Sequence, residues 1–475
     1  MKMERILIRE LEDIPGGKVL TWGNKPIKYV VRDPYELEEN CLYCCSPKSA
    51  EASLLDKMVM CNASGVVVHK PCGFDVERWK ETGIGVIEVD NWIMFQIALA
   101  RIYRTKFKVP LIQVIGSAGK TTTKDMIGSV LNAGMPALVG YANYNTAFGA
   151  ASNILDLRDF HQAAVVETGM KSMGYMRFSS SIIKPSIAVV TSIQRAHYVT
   201  LGSIDKIIEA KAEILEFLDP NGVLIINGED NNCNKFPVHK YGGRVLRYGF
   251  SENYDIWAED IMYKEFRTHF VAMAKRGKRG KKVKIDCTMN TVGKYNVANA
   301  LAAILTGVEL GMDPRDIRQG LADFKPMAGR LKVYAGPFDT IIIDDNFNAN
   351  PDSTQLLLEE IPKFTENRPI MLVMGDVERP DEQIKQYAQK VHFIIGQQLG
   401  RINFEKLIAI GKWATEYLTG AKSEGVPESK MEYFETVKQA KEYFKAAIIP
   451  GSVILFKASV YVPVRNLIRT LDDLK

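Results

Sequence analysis

A single stretch beginning at residue 116 restricts the fold more than any other part of this 475-residue chain. An apolar run, Leu111–Ile115, stops at Gly116-Ser117-Ala118-Gly119-Lys120-Thr121-Thr122-Thr123, and Met126, Ile127, Val130 and Leu131 then recur at helical spacing. Strand, glycine loop and helix come in the order a phosphate cradle requires. Gly116 and Gly119 let backbone N–H groups of the loop, Ser117 to Thr122, approach phosphate oxygens, and the helix N-terminus adds its partial positive charge. Lys120 is placed for the outer phosphates and Thr121 for a magnesium ion. Val114 stands where the longer form of such loops has its first glycine, so a short Gly-x-x-Gly-Lys-Thr loop remains. A plain glycine turn before a helix that starts with lysine and threonines is the alternative, and the strand-loop-helix context favours nucleotide binding over it.

Around this loop the chain alternates short apolar runs with helical patterns: Leu111–Ile115, Ala163–Val166, Ile187–Val190 and Gly222–Ile226. That rhythm predicts a parallel sheet with crossover helices. Phe266–Cys287 breaks it, because two alternating runs flank the basic, glycine-containing turn Lys275–Lys282, which reads as an edge hairpin with a solvated tip, the alternative being a phosphate clamp. A second series follows Gly329-Arg330, with runs at Thr340–Ile343, Ile370–Val373, Phe393–Ile395, Leu407–Ile410 and Val453–Phe456 and helical segments Asp381–Val391 and Thr436–Ala447 between them. The chain exceeds what one core organises. The expected fold is therefore α/β in three domains: a small N-terminal α/β unit (1–105), a central P-loop-type parallel-sheet ATPase domain with an edge hairpin (106–332), and a C-terminal Rossmann-like domain (333–475).

Charge and composition exclude several function classes. The 61 basic and 56 acidic residues leave a net charge of +5, which makes no electrostatic case for a nucleic-acid partner. Met1–Glu12 lacks a signal-peptide core and no apolar run reaches spanning length, so no membrane insertion and a cytoplasmic location are expected. Seven cysteines do not form a disulfide framework in so long a chain, and Cys41, Cys44, Cys61 and Cys72 lack the second close pair of a zinc site; buried structural thiols are expected.

The triple threonine after the short loop resembles the Mur ligases and their folylpolyglutamate-synthase cousins, and further stations of that family follow in order. Ala164-Val165-Val166-Glu167 is similar to its strand ending in a magnesium-binding glutamate. Ala196-His197, Leu201-Gly202-Ser203 and Ala210-Lys211-Ala212-Glu213-Ile214 resemble its histidine and modified-lysine segment. Gly293-Lys294-Tyr295-Asn296-Val297-Ala298-Asn299-Ala300 resembles the asparagine motif beside the nucleotide, Gly329-Arg330 the arginine at the central-domain exit, and Asp344-Asp345-Asn346-Phe347-Asn348-Ala349-Asn350-Pro351 the opening of the last domain. That last run is most similar to the branch that adds D-alanyl-D-alanine to a UDP-muramyl tripeptide. The resemblance covers residues 105–360 best.

The resemblance implies an ATP- and Mg2+-dependent amide ligase. A carboxylate is a poor electrophile; ATP phosphorylates it and an amine attacks the acyl phosphate, so positioning and charge neutralisation carry the reaction. On this reading Lys120, Glu167, His197 and Lys211 are the catalytic set, with Thr121, Glu167, His197 and a carbamylated Lys211 toward magnesium. Asn296, Asn299, Arg330, Asp345 and Asn348 meet the nucleotide, and Asn143 and Asn145 the substrate. Taken singly, His197 reads as an ordinary satisfied histidine, Lys211 as a solvent-facing lysine of a helix over Ile204–Phe217, and Asp344-Asp345 as a cap for the next helix. Small-molecule substrates and a monomer are expected.

Departures from the family pattern cluster where substrates rather than ATP are expected. Ala147 replaces an acid, Gln194-Arg195 a glycine-containing step, Tyr295 a common histidine, and Arg32-Asp33-Pro34 the uridine-binding Asp-Ser-Arg step. Gly375–Pro380 and Phe456–Tyr461, expected to contact the amine, keep only parts of their counterparts. A ligase of cell-wall precursors, a paralogue acting on another acid or amine, and a nucleotide-binding protein without ligase activity therefore stay open at this point.

Overall fold

The computed structural model describes residues 6–12, 14–45, 53–71, 75–194, 201–276, 281–347, 349–365, 367–379 and 381–471. Three sheets follow one another along the chain. The first contains β1 (Gly17–Thr21), β2 (Tyr29–Val31), β3 (Cys41–Cys44), β4 (Gly65–His69) and β5 (Gly85–Val89) in the order β1-β5-β4-β3-β2, with β1 alone antiparallel.

The second sheet contains β6 (Leu111–Ile115), β7 (Ala137–Val139), β8 (Ala163–Glu167), β9 (Ile187–Val190), β10 (Val223–Asn227), β11 (Arg244–Gly249), β12 (Ile256–Lys264), β13 (Arg267–Arg276) and β14 (Lys281–Met289). Its order is β14-β13-β12-β11-β10-β9-β6-β8-β7, parallel from β7 to β12. The antiparallel pair β13–β14 is the edge hairpin expected from the sequence, and β12 joins it as a third member. The third sheet contains β15 (Lys332–Ala335), β16 (Ile341–Asp345), β17 (Ile370–Gly375), β18 (Lys406–Ile410), β19 (Met431–Phe434) and β20 (Val453–Lys457) in the order β15-β16-β20-β17-β18-β19, with only β15 antiparallel.

The largely apolar character of the central parallel strands has a direct cause. Every residue of β6 and β8 is buried, because helices cover both faces of the sheet. On one face, helix Lys120–Asn132 offers Met126, Ile127, Val130 and Leu131 to Leu301, Ile304 and Leu305 of helix Lys294–Glu309. On the other, Ala150 and Ile154 of helix Ala147–Leu155 share one core with Phe95 and Leu99 of helix Trp92–Thr105 and with Val67 and Ile87 of the first sheet. The first two sheets are thus joined by a continuous apolar cluster. A separate cluster joins Phe266, Val292 and Leu331 to Leu357, Ile361 and Phe364 of the third.

One expected strand is a helix. Phe393–Ile395 lies inside helix Lys385–Gly400, where Ala388, His392, Ile395 and Leu399 form the buried stripe. Their spacing is helical, and a three-residue apolar run cannot by itself distinguish the two periods. The segment expected as one helix over Ile204–Phe217 is an α-helix, Ile204–Ala212, ending in a 3-10 turn, Glu213–Glu216. Among the described residues, Cys41, Cys44, Cys45, Cys233 and Cys287 are buried free thiols and Cys61 is partly exposed; Cys72 lies outside them. Burial pushes the Cys41 and Cys44 thiols up to about 12. No helix among the described residues is long and apolar enough to cross a membrane.

Candidate active site

Ligands of open parallel sheets bind beyond the carboxyl ends of the strands. Here those ends, from β6, β9 and β10 of the second sheet and β16 and β20 of the third, surround a cavity of about 730 Å3. Ser117, Ala118, Gly119, Lys120, Thr121, Thr122, Asn143, Asn145, Asn296, Asn299, Arg330 and Asp345, all singled out from the sequence, line it. His197 and Asn348 lie outside the described residues.

The loop owes its shape to its glycines and to the segment after β9. Gly116 has φ +154°, and a Cβ there would sit 2.0 Å from the Thr191 hydroxyl oxygen. Gly119, at φ +80°, precedes helix Lys120–Asn132 and faces the Asn299 side chain. Ser117 N–H donates to the Ser192 carbonyl (2.8 Å), Ala118 N–H to the Ser192 hydroxyl (3.0 Å), and the Thr191 hydroxyl to the Ala118 carbonyl (2.6 Å). Gln194 N–H donates to the Ser117 hydroxyl at 2.9 Å, so this departure from the family pattern still fastens the loop.

Lys120 Nζ donates to the Gly116 carbonyl at 2.9 Å and the Ser117 carbonyl at 3.3 Å, folding its cation over its own loop. Burial lowers its pKa, and the nearby Glu167 charge opposes that. Arg330, its pKa also lowered by burial, stacks its guanidinium on Phe347 at 4.5 Å and lies within electrostatic reach of Asp345 and Glu167. A line of side chains runs inward from the loop helix. Thr123 Oγ1 donates to Asn299 Oδ1 (3.1 Å), Asn299 Nδ2 to Asn296 Oδ1 (3.2 Å), Asn296 Nδ2 to Thr291 Oγ1 (3.0 Å), and Thr291 Oγ1 to the Leu331 carbonyl (3.3 Å).

Glu167 ends β8 at 1% exposure. One carboxylate oxygen accepts from Asn145 Nδ2 at 3.1 Å; the other, Oε2, is buried without a hydrogen-bond partner. Among the described residues no group of three or more His, Cys, Asp or Glu side chains is placed for a metal. A magnesium ion asks less of a protein: one or two hard oxygens, with water and substrate phosphate completing the octahedron. The unpaired Glu167 oxygen and the Thr121 hydroxyl fit that requirement.

Lys211 is 2% exposed, so the solvent-facing reading of this lysine is wrong. Burial, reinforced by the Lys120 charge, lowers its ammonium to about 7. Asp344 and Asp345 do not cap the following helix either; Asn350 does, its Oδ1 accepting from Ser353 N–H at 2.9 Å. Asp344 instead accepts from Gly329 N–H at 2.9 Å, and Asp345 pairs with Lys457 at 2.5 Å.

Other departures have plain structural outcomes. Ala147 is buried at the start of its helix, its N–H donating to the Tyr175 hydroxyl at 3.1 Å, and the Tyr295 hydroxyl is buried without a partner. Arg32 pairs with Asp156 at 2.5 Å. Of the two stretches expected to meet the amine, Lys457 and Val460 line the cavity, whereas no residue of 375–379 does. Lys275 and Lys282 lie over the Trp257 ring and not on the cavity. Their strands stand five and six places from β6, so β13 is about 24 Å away at 4.8 Å per strand, out of reach of the loop.

Sequence reading missed Lys124, which is buried and donates to the Gly140 (2.5 Å) and Ala142 (2.6 Å) carbonyls, holding the segment that carries Asn143 and Asn145. Its spacing from Ile127 and Leu131, on the apolar face of the helix, was the available signal. Lys457 lies in the stretch Phe456–Tyr461 already singled out, but its pairing with Asp345 gave no local signal, because that partner is 112 residues away.

A lysine-threonine loop, a buried strand-end glutamate, and residues of the third sheet lining the same cavity as the loop are the parts an ATP-dependent enzyme requires. Residues 114–307 match the Mur ligase middle domain and residues 329–460 the Mur ligase glutamate ligase domain. The chain belongs to the Mur ligase family of ATP-dependent ligases. It is 28% identical to the UDP-N-acetylmuramoyl-tripeptide--D-alanyl-D-alanine ligase of Bacillus subtilis (strain 168), over 82% of this chain and 81% of that one. It is 25% identical to the enzyme of the same name from Escherichia coli (strain K12), over 86% and 87%. Its fold is that of MurF from Acinetobacter baumannii, with a TM-score of 0.78 at 24% identity and full coverage of both chains (100% and 100%). MurF from Thermotoga maritima, solved in complex with ADP, superimposes with a TM-score of 0.71 at 20% identity, covering 94% of this chain and 97% of that one.

Proposed function

We propose that this ligase joins D-alanyl-D-alanine, or a similar amino acid or dipeptide, to a UDP-muramyl peptide in peptidoglycan precursor synthesis. The observation that carries the reading is the convergence of Lys120, Thr121, Asn145 and Asp345, from two sheets, on one cavity, with the unpaired Glu167 oxygen behind Asn145. The curated relatives that share these domains carry that activity in their names.

The γ-phosphoryl group of ATP passes to the carboxylate of the acid, ADP leaves, and the amine then attacks the carbonyl carbon as phosphate departs. Lys120 and the loop N–H groups hold the phosphates. Asn296, Asn299, Arg330, Asp345 and Asn348 hold the rest of the nucleotide, and Asn143 and Asn145 orient the acid. Thr121, Glu167, His197 and, if carbamylated, Lys211 would hold Mg2+, which when bound supplies charge neutralisation at the phosphoryl oxygens. Carbamylation needs a neutral amine. An ammonium lowered to about 7 is substantially deprotonated at neutral pH, so burial equips Lys211 to take up CO2. Residues 1–105 serve the acid, 106–332 ATP and 333–475 the amine, in a cytoplasmic monomer.

The test is incubation with Mg-ATP, UDP-muramyl tripeptide and D-alanyl-D-alanine beside a panel of other acids and amines, following ADP release and product mass. A peptide product from the muramyl substrate supports the reading; product from non-muramyl acids alone overturns it. A second reading, a paralogue acting on a different acid, is favoured by one observation: Arg32, in the step that stands for the uridine-binding residues, is engaged by Asp156. The same panel separates the two.

A further inference from the structure

Lys457 lies at the end of β20, after four buried apolar residues, and is itself 2% exposed. In the parallel register it stands directly beside Asp345, the last residue of β16. Its ammonium donates to Asp345 Oδ2 at 2.5 Å, and no other hydrogen-bond partner of Nζ is found among the described residues. Both residues line the cavity. Asp345 thus has one direct partner, the Lys457 ammonium, and lies within electrostatic reach of the Arg330 guanidinium and of Tyr295.

A buried ammonium is expensive to desolvate, and an apolar side chain at this place would extend the strand's apolar run without that cost. An acidic side chain at a cavity wall within electrostatic reach of a second cation, by contrast, has no single orientation imposed on it by its own strand. One fixed, charge-assisted hydrogen bond from the neighbouring strand imposes one. We propose that Lys457 is a positioning residue: it holds the Asp345 carboxylate in the cavity wall, facing the nucleotide, and does not itself touch the amine substrate. This rests on the reading above that Asp345 meets the nucleotide.

The two roles open to Lys457 are distinguishable. If it positions Asp345, Lys457→Met reproduces Asp345→Asn: each weakens Mg-ADP binding about tenfold, and the Lys457→Met/Asp345→Asn double variant is no worse than either, because coupled partners are not additive. The KM for the amine stays unchanged and the KM for ATP rises, while Lys457→Arg, which keeps the charge, falls between wild type and Lys457→Met. Calorimetric titration of the full-length protein with Mg-ADP, followed by initial rates with each substrate varied, reads all of these. Should Lys457→Met fail to fold, the double variant, which removes both charges together, carries the test against Asp345→Asn alone.

A rise in the amine KM with ADP affinity intact, or a double variant a further tenfold weaker than Asp345→Asn, overturns the positioning role. Wild-type protein that binds no ADP refutes instead the nucleotide reading on which it rests. Equal ADP affinity in wild type and Asp345→Asn likewise refutes the placement of Asp345 beside the nucleotide.

Discussion

Replacing Lys211 with methionine should stabilise the folded protein while abolishing its chemistry, by an amount that depends on pH in a calculable way. Burial moves the Lys211 ammonium from 10.5 to about 7, a gap of 3.5 (10.5 − 7). At 1.36 kcal/mol per unit, this amounts to about 5 kcal/mol. The sign follows from proton counts. Between pH 7 and 10.5 the unfolded chain keeps the proton that the folded chain has lost, so wild-type stability rises with pH by about 1.4 kcal/mol per unit in that window. Below pH 7 the full penalty applies. Methionine has no proton to lose, so the advantage of Lys211→Met is greatest below pH 7 and shrinks steadily toward pH 10. Urea unfolding of both proteins at pH 6.5, 7.5, 8.5 and 9.5, in CO2-free buffer with chelator so that neither carbamate nor metal intervenes, measures the difference. A difference that does not change with pH would refute the reasoning.

Three further outcomes are expected. Gly116→Ala brings a methyl group to 2.0 Å from the Thr191 hydroxyl at a φ of +154°, which costs about 2–4 kcal/mol in backbone strain and a lost hydrogen bond; ADP affinity measured by calorimetry should fall at least about tenfold, and an unchanged affinity would count against the loop. Glu167→Gln keeps the shape of the side chain but removes the charge of the unpaired oxygen, so the Mg2+ concentration for half-maximal ADP release should rise roughly tenfold or more with little change in thermal stability; an unshifted Mg2+ titration removes Glu167 from the metal. The Cys41 and Cys44 thiols, buried and pushed up to about 12, should resist iodoacetamide at pH 8 until urea unfolds the chain, and mass spectrometry showing rapid labelling of the folded protein would contradict their burial.

Local patterns carried much of this into the sequence. The strand-loop-helix order around Lys120 was legible because strand, glycines and helix are adjacent in the chain, whereas Glu167 was named by resemblance and its burial at the end of β8 is a product of the fold. Phe393–Ile395 was misread because three apolar residues fit either period, and only the buried Ala388, His392 and Leu399 around them settle it. The fate of Asp345 was not legible, since its partner comes from β20, and neither were the roles of Asn296 and Asn299 in tying the loop helix to the far end of the second sheet. Such contacts are made by the fold and leave no trace in spacing. Lys211 lies between these cases: resemblance named the residue, but its burial and consequent acidity depend on packing around helix Ile204–Ala212.

The polar line from Thr123 through Asn299, Asn296 and Thr291 ends on the carbonyl of Leu331, one residue before β15 begins the third sheet. The helix that follows the glycine loop and the segment that leads into the third sheet are therefore held by the same four side chains. On the function proposed above, a mutation that loosens this line should be assayed both for nucleotide affinity and for reaction with the amine.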